Sequence, residues 1–248
     1  MLQLENLTAL RGQCPVVDTV SASIGPGELI GLIGPNGAGK TTLMRAALGL
    51  IAHQGDSSLA RLDPMARARA AAWLPQAREI AWGLSVAELV ALGRLPHGRD
   101  HGAQGAEAVA AALARMGLEN YRARIATQLS GGEQARVLIA RALAQQSPLI
   151  LADEPIAGLD PAAQIETMEV FRAHADAGGA VLCSLHDLGL AARHCTRVWV
   201  MDRGRLVADG PPATVLSRAL LADVFHIRAH FEDTAQGAVF QALSTLQR

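Results

Sequence analysis

The sequence predicts an α/β fold: a mainly parallel sheet, an antiparallel β pair ahead of it, and a helical segment inserted part-way along. Three observations predict it. From residue 28 onward, short apolar runs alternate with helical patterns, which implies parallel strands joined by covering helices. Residues 2–10 and 16–24 instead alternate polar and apolar positions around a turn at Gly12, as half-buried antiparallel strands do. Residues 76–128 are alanine-rich at helical spacing, with Val109, Leu113 and Met116 on one stripe that reads as packing.

Composition narrows the class. The chain has 248 residues, 50% of them apolar and 18% charged, enough for one large domain or two fused subdomains with a packed core. A net charge of −1 offers no electrostatic case for nucleic acid or for an anionic membrane surface. Met1–Leu10 alternates without a basic lead, unlike a signal peptide. Apolar runs break well short of the roughly 20 residues that span a bilayer, so a membrane role is expected through a partner. Cys14, Cys183 and Cys195 are odd in number and widely spaced, which fits reduced thiols acting as small core hydrophobes. No second ligand pair at zinc spacing supports a metal site at His194-Cys195.

The elements follow in order. Glu28–Ile33 is a short apolar strand ending in glycine, followed by a loop and a helix from Thr41 to about Leu50. Glu133–Ala144 is helical, and Leu149–Ala152 is a buried strand just behind Pro148. Pro161 suits a first helical turn and opens a helix over Ala162–Ala175. Ala180–Ser184 and Arg197–Met201 read as strands, the second turning at Arg203-Gly204 into Arg205–Ala208. The expected division is a core of about residues 1–75 and 145–225, a helical subdomain over 76–144, and a short, uninformative C-terminal tail over 226–248.

Gly34-Pro35-Asn36-Gly37-Ala38-Gly39-Lys40-Thr41 fits G-x-x-x-x-G-K-[ST] at every fixed position, between a strand and a helix. Glycines there let backbone amides face an anion, and the following helix, with Thr42 in its first turn, points its positive end at the same place. Lys40 is the only lysine in the chain; the other strong bases are arginines. A slim ammonium reaches phosphates where a planar guanidinium does not fit, which accounts for the exception. The Thr41 hydroxyl suits Mg²⁺. Leu149–Ala152 delivers Asp153 at its C-terminal end, where an α/β sheet places ligand chemistry. Asp153 is the expected Mg²⁺ partner, through a water, and Glu154 is a candidate base for an attacking water. The fold expected is a P-loop NTPase core with a mainly parallel sheet, an N-terminal antiparallel β subdomain and an inserted α-helical subdomain.

A phosphate loop alone fits a kinase, a GTPase or a motor. Leu129-Ser130-Gly131-Gly132-Glu133, about twenty residues before the acidic strand, resembles the LSGGQ-type signature of the ATP-binding-cassette superfamily. The resemblance covers residues 1–225. Ser130 is placed to cap the following helix, with the glycines exposing amides to a γ-phosphate. Gln76 resembles the family's Q-loop glutamine, a sensor of the metal and nucleophile. Ala157-Gly158-Leu159-Asp160 resembles its D-loop and His186 its switch histidine. Two departures stand out. No aromatic lies within residues 1–30, so the adenine-stacking position falls near Arg11, whose guanidinium plane can stack on a base. The signature ends in Glu133 where glutamine is usual.

The resemblance implies ATP and Mg²⁺ as ligands and a two-fold homodimer. In such a dimer, Ser130, Gly131, Gly132 and Glu133 of one copy close in trans over the ATP held at Lys40 of the other, with Asp160 at the interface. It further implies two transmembrane permease subunits, an indirect link to a periplasmic or surface substrate-binding protein, and a place on the cytoplasmic face of the inner membrane. Val90–His97, His186–Arg193 and Asp209–Leu216 look like the ATPases of importers for iron–siderophores, haem and cobalamin. The alternative is a soluble cassette ATPase of the iron–sulfur cluster assembly type. Trp82 is open to two readings, packing against a membrane subunit or lying in the core.

Overall fold

A computed structural model of the chain describes residues 1–98, 102–234 and 237–246. Strands β1 (Leu2–Arg11) and β2 (Cys14–Ile24) pair antiparallel around Gly12, whose φ is +64°, and a short β4 (Gln54–Ser57) adds to the far side of β1. Their inward positions, Leu2, Leu4, Leu7, Val17, Val20 and Ile24, are buried, so the alternation in the sequence is the alternation of the pleat.

The main sheet has six strands in the order β5 (Ala71–Leu74), β6 (Leu149–Ala152), β7 (Ala180–Ser184), β3 (Leu29–Ile33), β8 (Arg197–Asp202) and β9 (Arg205–Gly210). The first five run parallel; only β9 is antiparallel, joined to β8 by the tight turn at Arg203-Gly204. Strands β3, β6 and β7 are buried along their whole length, because helices cover one face and the antiparallel β1–β2 layer, with the helix after β3, covers the other. A parallel arrangement carries a functional consequence: the C-terminal ends of β5, β6, β7 and β3 open on one edge. Register aligns them, with Leu74 beside Ala152, Ala152 beside Cys183, and Leu32 beside Ser184.

Helix α1 (Lys40–Ala47) follows β3, and α2 (Pro64–Ala70) runs without a break into β5. Helices α3 (Val86–Ala91), α4 (Gly102–Arg115) and α5 (Gly131–Ala144) form the helical region, where Val109, Leu113 and Met116 are buried as their spacing predicts. These helices share one continuous apolar cluster with one face of the sheet, through Val86, Leu113 and Leu138 on the helices and Leu29, Ile150 and Phe171 beside them. A large-to-small change such as Leu113→Ala therefore costs about 2–5 kcal/mol. Helix α6 (Pro161–Asp176) starts at Pro161 as expected, one residue ahead of the predicted span, and α7 (Leu188–His194) links β7 to β8.

Two expectations are corrected, and of the two readings of Trp82 the core one falls away. The segment 226–248 is more than a short, uninformative tail. After α8 (Pro212–Val215) and α9 (Arg218–Phe225), strands β10 (Ile227–Thr234) and β11 (Gly237–Thr245) form a hairpin against α7, with Phe231 and Phe240 packed on the core. Of that segment, residues 235–236 and 247–248 lie outside the described residues. Trp82 is 70% exposed and takes no part in the core. Cys14 is exposed at the start of β2, whereas Cys183 and Cys195 are buried as small hydrophobes. These two thiols lie together, and their mutual hydrogen bond, with burial, pushes the Cys183 thiol well up.

Candidate functional site

The loop from Gly34 to Gly39 leaves β3 under tight constraint. A Cβ on Gly34, at φ +149°, would collide with the carbonyl oxygen of Met201, and one on Gly39, at φ +101°, with that of Val16. Glycine is thus required where the loop passes β8 and β2. The Arg203-Gly204 turn braces it further: Gly204 N–H donates to Ala38 O at 3.0 Å, and Asp18 N–H donates to Gly204 O at 2.8 Å. Gly39 also serves as N-cap of α1 and brings no side-chain cap, so no side chain claims the first-turn amides beside Thr41 and Thr42.

Lys40 is only 7% exposed, and its Nζ donates to Gly34 O at 2.7 Å and Pro35 O at 3.2 Å. Burial pushes its ammonium below the ordinary lysine value, while the carboxylates of Glu154 and Asp153 pull it back up. Those two acids reach the loop from the end of β6. Asp153 is 1% exposed; one carboxylate oxygen accepts from Ser184 Oγ at 2.7 Å and the other, Oδ2, is buried without a partner among the described residues. Such an orphan oxygen is costly unless something is meant to reach it.

Glu154 adopts a left-handed backbone, φ +48°, which a non-glycine residue holds only when its surroundings fix it. Its N–H donates to Ser184 Oγ at 2.8 Å, and its Oε1 meets His186 Nε2 at 2.8 Å. On its other side Arg78 Nη2 donates to Glu154 O at 3.2 Å and Pro155 O at 3.0 Å. Glu154, Ser184, His186 and Gln164 line a cavity of about 120 Å³. Gln76 follows directly on β5 at the same edge of the sheet and is exposed.

The second constellation lies elsewhere. Ser130 caps α5 in a reciprocal box: Glu133 N–H donates to Ser130 Oγ at 3.3 Å, and Ser130 N–H donates to Glu133 Oε2 at 2.8 Å. The backbone hydrogen bond from Ser130, then its hydroxyl, hold the Glu133 carboxyl below its usual range. A carboxylate at this third helical position also suits the positive helix end, which gives glutamate in place of glutamine a structural reason. Ser130, Gly132, Glu133, Leu159 and Asp160 line one groove of about 380 Å³ that contains no phosphate-loop residue. Asp160 itself caps α6, its Oδ1 accepting from Ala163 N–H at 2.9 Å. Arg11 ends β1, exposed beside Cys14, while Val16 two residues along β2 is the residue that touches Gly39.

Ser184 and Arg78 are absent from the sequence-based set. For Ser184 a signal existed: a serine closing an apolar strand two residues before His186. For Arg78 none did, because both of its carbonyl partners lie about 76 residues away in the chain.

Residues 17–157 match the model of the ABC transporter family. The chain is 43% identical over 236 residues to the hemin import ATP-binding protein HmuV of Pseudomonas fluorescens, spanning 91% of this chain and 92% of that protein. It is also 43% identical over 233 residues to the cobalamin import ATP-binding protein BtuD of Halobacterium salinarum, covering 90% of this chain but 58% of that longer relative. An ATP-binding cassette solved as a dimer in a post-hydrolysis state bound to ADP and Pi superposes with a TM-score of 0.76 at 26% identity, over 86% of this chain and 99% of that one. With a family match over more than half its length and a relative aligned over about nine-tenths of both chains, the chain belongs to the ABC transporter family.

Proposed function

We propose that this chain is the ATP-hydrolysing subunit of a membrane importer for a metal chelate of the iron–siderophore, haem or cobalamin kind. It works as a homodimer on the cytoplasmic face of the inner membrane, beneath two permease subunits and, through them, a substrate-binding protein. One observation carries the reading: the only lysine of the chain is buried within electrostatic reach of an aligned Asp153–Glu154 pair, at the edge where four parallel strands end. The import names of two relatives support the cargo class.

Gly34, Pro35, Asn36, Gly37, Ala38 and Gly39 wrap the phosphates, with backbone amides from the loop residues other than Pro35, which has no N–H; Lys40 places its charge on the outer phosphates, and Thr42 lies in the first turn behind. Thr41, Gln76 and Asp153 supply hard oxygen donors, the orphan Asp153 Oδ2 among them, and this donor set fits Mg²⁺. Bound there, Mg²⁺ would neutralise charge building on the phosphates. Glu154 orients a water and takes its proton; His186, hydrogen-bonded to Glu154, steadies the γ-phosphate. The groove holding Ser130, Gly132, Glu133 and Asp160, with Gly131 beside it in the chain, meets the ATP of the second copy, since it lies apart from the chain's own loop. Arg11 offers a guanidinium plane to the base.

The permease docks in the groove of about 480 Å³ between α2, β5 and the turn of Leu92–His97, lined by Leu48, Trp73, Leu95 and Pro96. Leu50 and Leu95 are exposed there, with Arg67 and Arg141 at hand for an acidic residue of the partner. Detergent extraction from the native membrane tests the assignment. The chain is expected to elute with a polytopic subunit, and Leu95→Glu is expected to release it while the isolated chain still hydrolyses ATP. Recovery with soluble proteins alone would overturn the importer reading.

A further inference from the structure

We infer that Arg78 is a positioning residue for Glu154, holding its backbone in the conformation that aims the carboxylate; the inference rests on Glu154 being the group that acts on water. Three long-range contacts and one local turn bond hold Glu154. Ser184 Oγ accepts from its N–H, His186 meets its carboxylate, and Arg78 alone reaches its carbonyl from a distant segment. The same carbonyl accepts from Ala157 N–H at 3.2 Å, closing the turn after β6. One guanidinium nitrogen bridges two consecutive carbonyls, Glu154 O and Pro155 O, across the turn in which Glu154 stands at φ +48°.

A glutamate in the left-handed region is strained and persists only where its neighbours impose it. Hydrogen bonds from a cation are among the stronger ones available for that purpose. Arg78 is half-buried against the turn, so less water competes for its donors than at an open surface. Its place in the chain gives the contact a second meaning. Arg78 lies two residues beyond Gln76, on the segment that leaves β5 for the helical region, and β5 itself bonds the same turn through Asp153 N–H to Leu74 O at 2.8 Å. Withdrawal of the 76–80 segment would remove the guanidinium bridge and leave Glu154 held through Ser184, His186 and its local turn bond to Ala157. Hydrolytic competence then follows the position of that segment.

The test uses the full chain with MgATP. Arg78→Ala is expected to lower kcat about tenfold, the scale of one lost charge-assisted hydrogen bond, with KM for ATP within about twofold of the parent. Amide hydrogen exchange of the nucleotide-free protein, a readout independent of turnover, is expected to quicken at Glu154 and Ala157. Arg78→Lys, which keeps one cationic donor, is expected to restore part of both. Unchanged kcat, a loss confined to KM, or slowed turnover without faster exchange would each overturn the role. Glu154→Gln measured alongside separates the two readings. Turnover by Glu154→Gln at the parent rate sinks the water-activation assignment itself, whereas a silent Glu154→Gln with a parent-like Arg78→Ala sinks only the positioning role.

Discussion

His186 Nε2 lies 2.8 Å from Glu154 Oε1, although the two residues leave different strands, β7 and β6. The pairing depends on strand register: Ala152 sits beside Cys183, and each chain then turns over the same edge of the sheet. A carboxylate held this way has a fixed direction, and a base needs direction before strength.

The first prediction concerns that carboxylate. Glu154→Gln keeps the size and can still accept from His186, but cannot take a proton. ATP affinity is expected to stay within a few-fold of the parent, while hydrolysis falls by on the order of 10²–10⁴. The ATP-loaded variant is expected to run as a dimer in size-exclusion chromatography. Parent-rate phosphate release, or a monomer under saturating MgATP, would contradict it.

Much of this arrangement is legible in the chain, and the reason is local. Gly34–Thr41, Leu129–Glu133 and Leu149–Glu154 each encode their geometry within a few residues: a turn, a cap, a strand end. What stays hidden depends on partners far along the chain. Strand β5 is four residues, Ala71–Leu74, continuous with a helix that ends in alanine, so neither period nor breaker marks it. It exists as a strand because β6 offers an edge in register. Hairpin β10–β11 has a visible alternation in Arg228, His230 and Glu232, but its inner residues Ala229, Phe231 and Phe240 gain their meaning only against the core. Arg11 shows the opposite limit. The position of the expected aromatic can be counted along the chain, yet nothing in the counting says what an exposed arginine there contacts.

Ser184 ties the two acids together, donating to Asp153 Oδ1 at 2.7 Å and accepting from Glu154 N–H at 2.8 Å, in full burial. Ser184→Ala strands both groups. A destabilisation of about 1–3 kcal/mol is expected, visible in urea or thermal unfolding, together with reduced turnover. A loss below about 0.5 kcal/mol would mean that a water replaces the hydroxyl and that the bridge is dispensable.

Two of the three loop glycines with positive φ differ in what surrounds them, and this makes a matched experiment. Gly37, at φ +81°, faces open space, whereas Gly39, at φ +101°, faces the Val16 carbonyl. Gly37→Ala meets only the conformational cost, about 1 kcal/mol. Gly39→Ala adds a collision that pushes the loop off β2 and turns the first amides of α1. Titration with a fluorescent ATP analogue is expected to show at least a tenfold weaker affinity for Gly39→Ala than for Gly37→Ala. Equal losses would mean that φ alone matters and that the contact with β2 does not shape the cradle.

The last prediction is about stability and pH, and it turns on His174, on α6 well away from the site. Burial pushes its imidazolium below the ordinary histidine value, a bond to Pro148 O at 3.3 Å pulls the other way, and Arg115 adds repulsion to the first. Gly179 packs directly on the ring, leaving no room for a side chain there. A histidine whose folded pKa lies below its unfolded value binds its proton more readily when the chain is unfolded. Its neutral form therefore contributes fully above the unfolded value of about 6.5, and stability is lost as pH falls through that value toward the folded one. His194 shifts in the same direction, from burial and the neighbouring Arg193, with Glu169 opposing, so the two losses overlap. Unfolding midpoints are expected to drop between about pH 7.5 and about pH 5.5, less steeply in His174→Asn and least in the double variant His174→Asn/His194→Asn. A parent protein that gained stability on acidification, or a double variant with the parent's slope, would place the pH response in other groups.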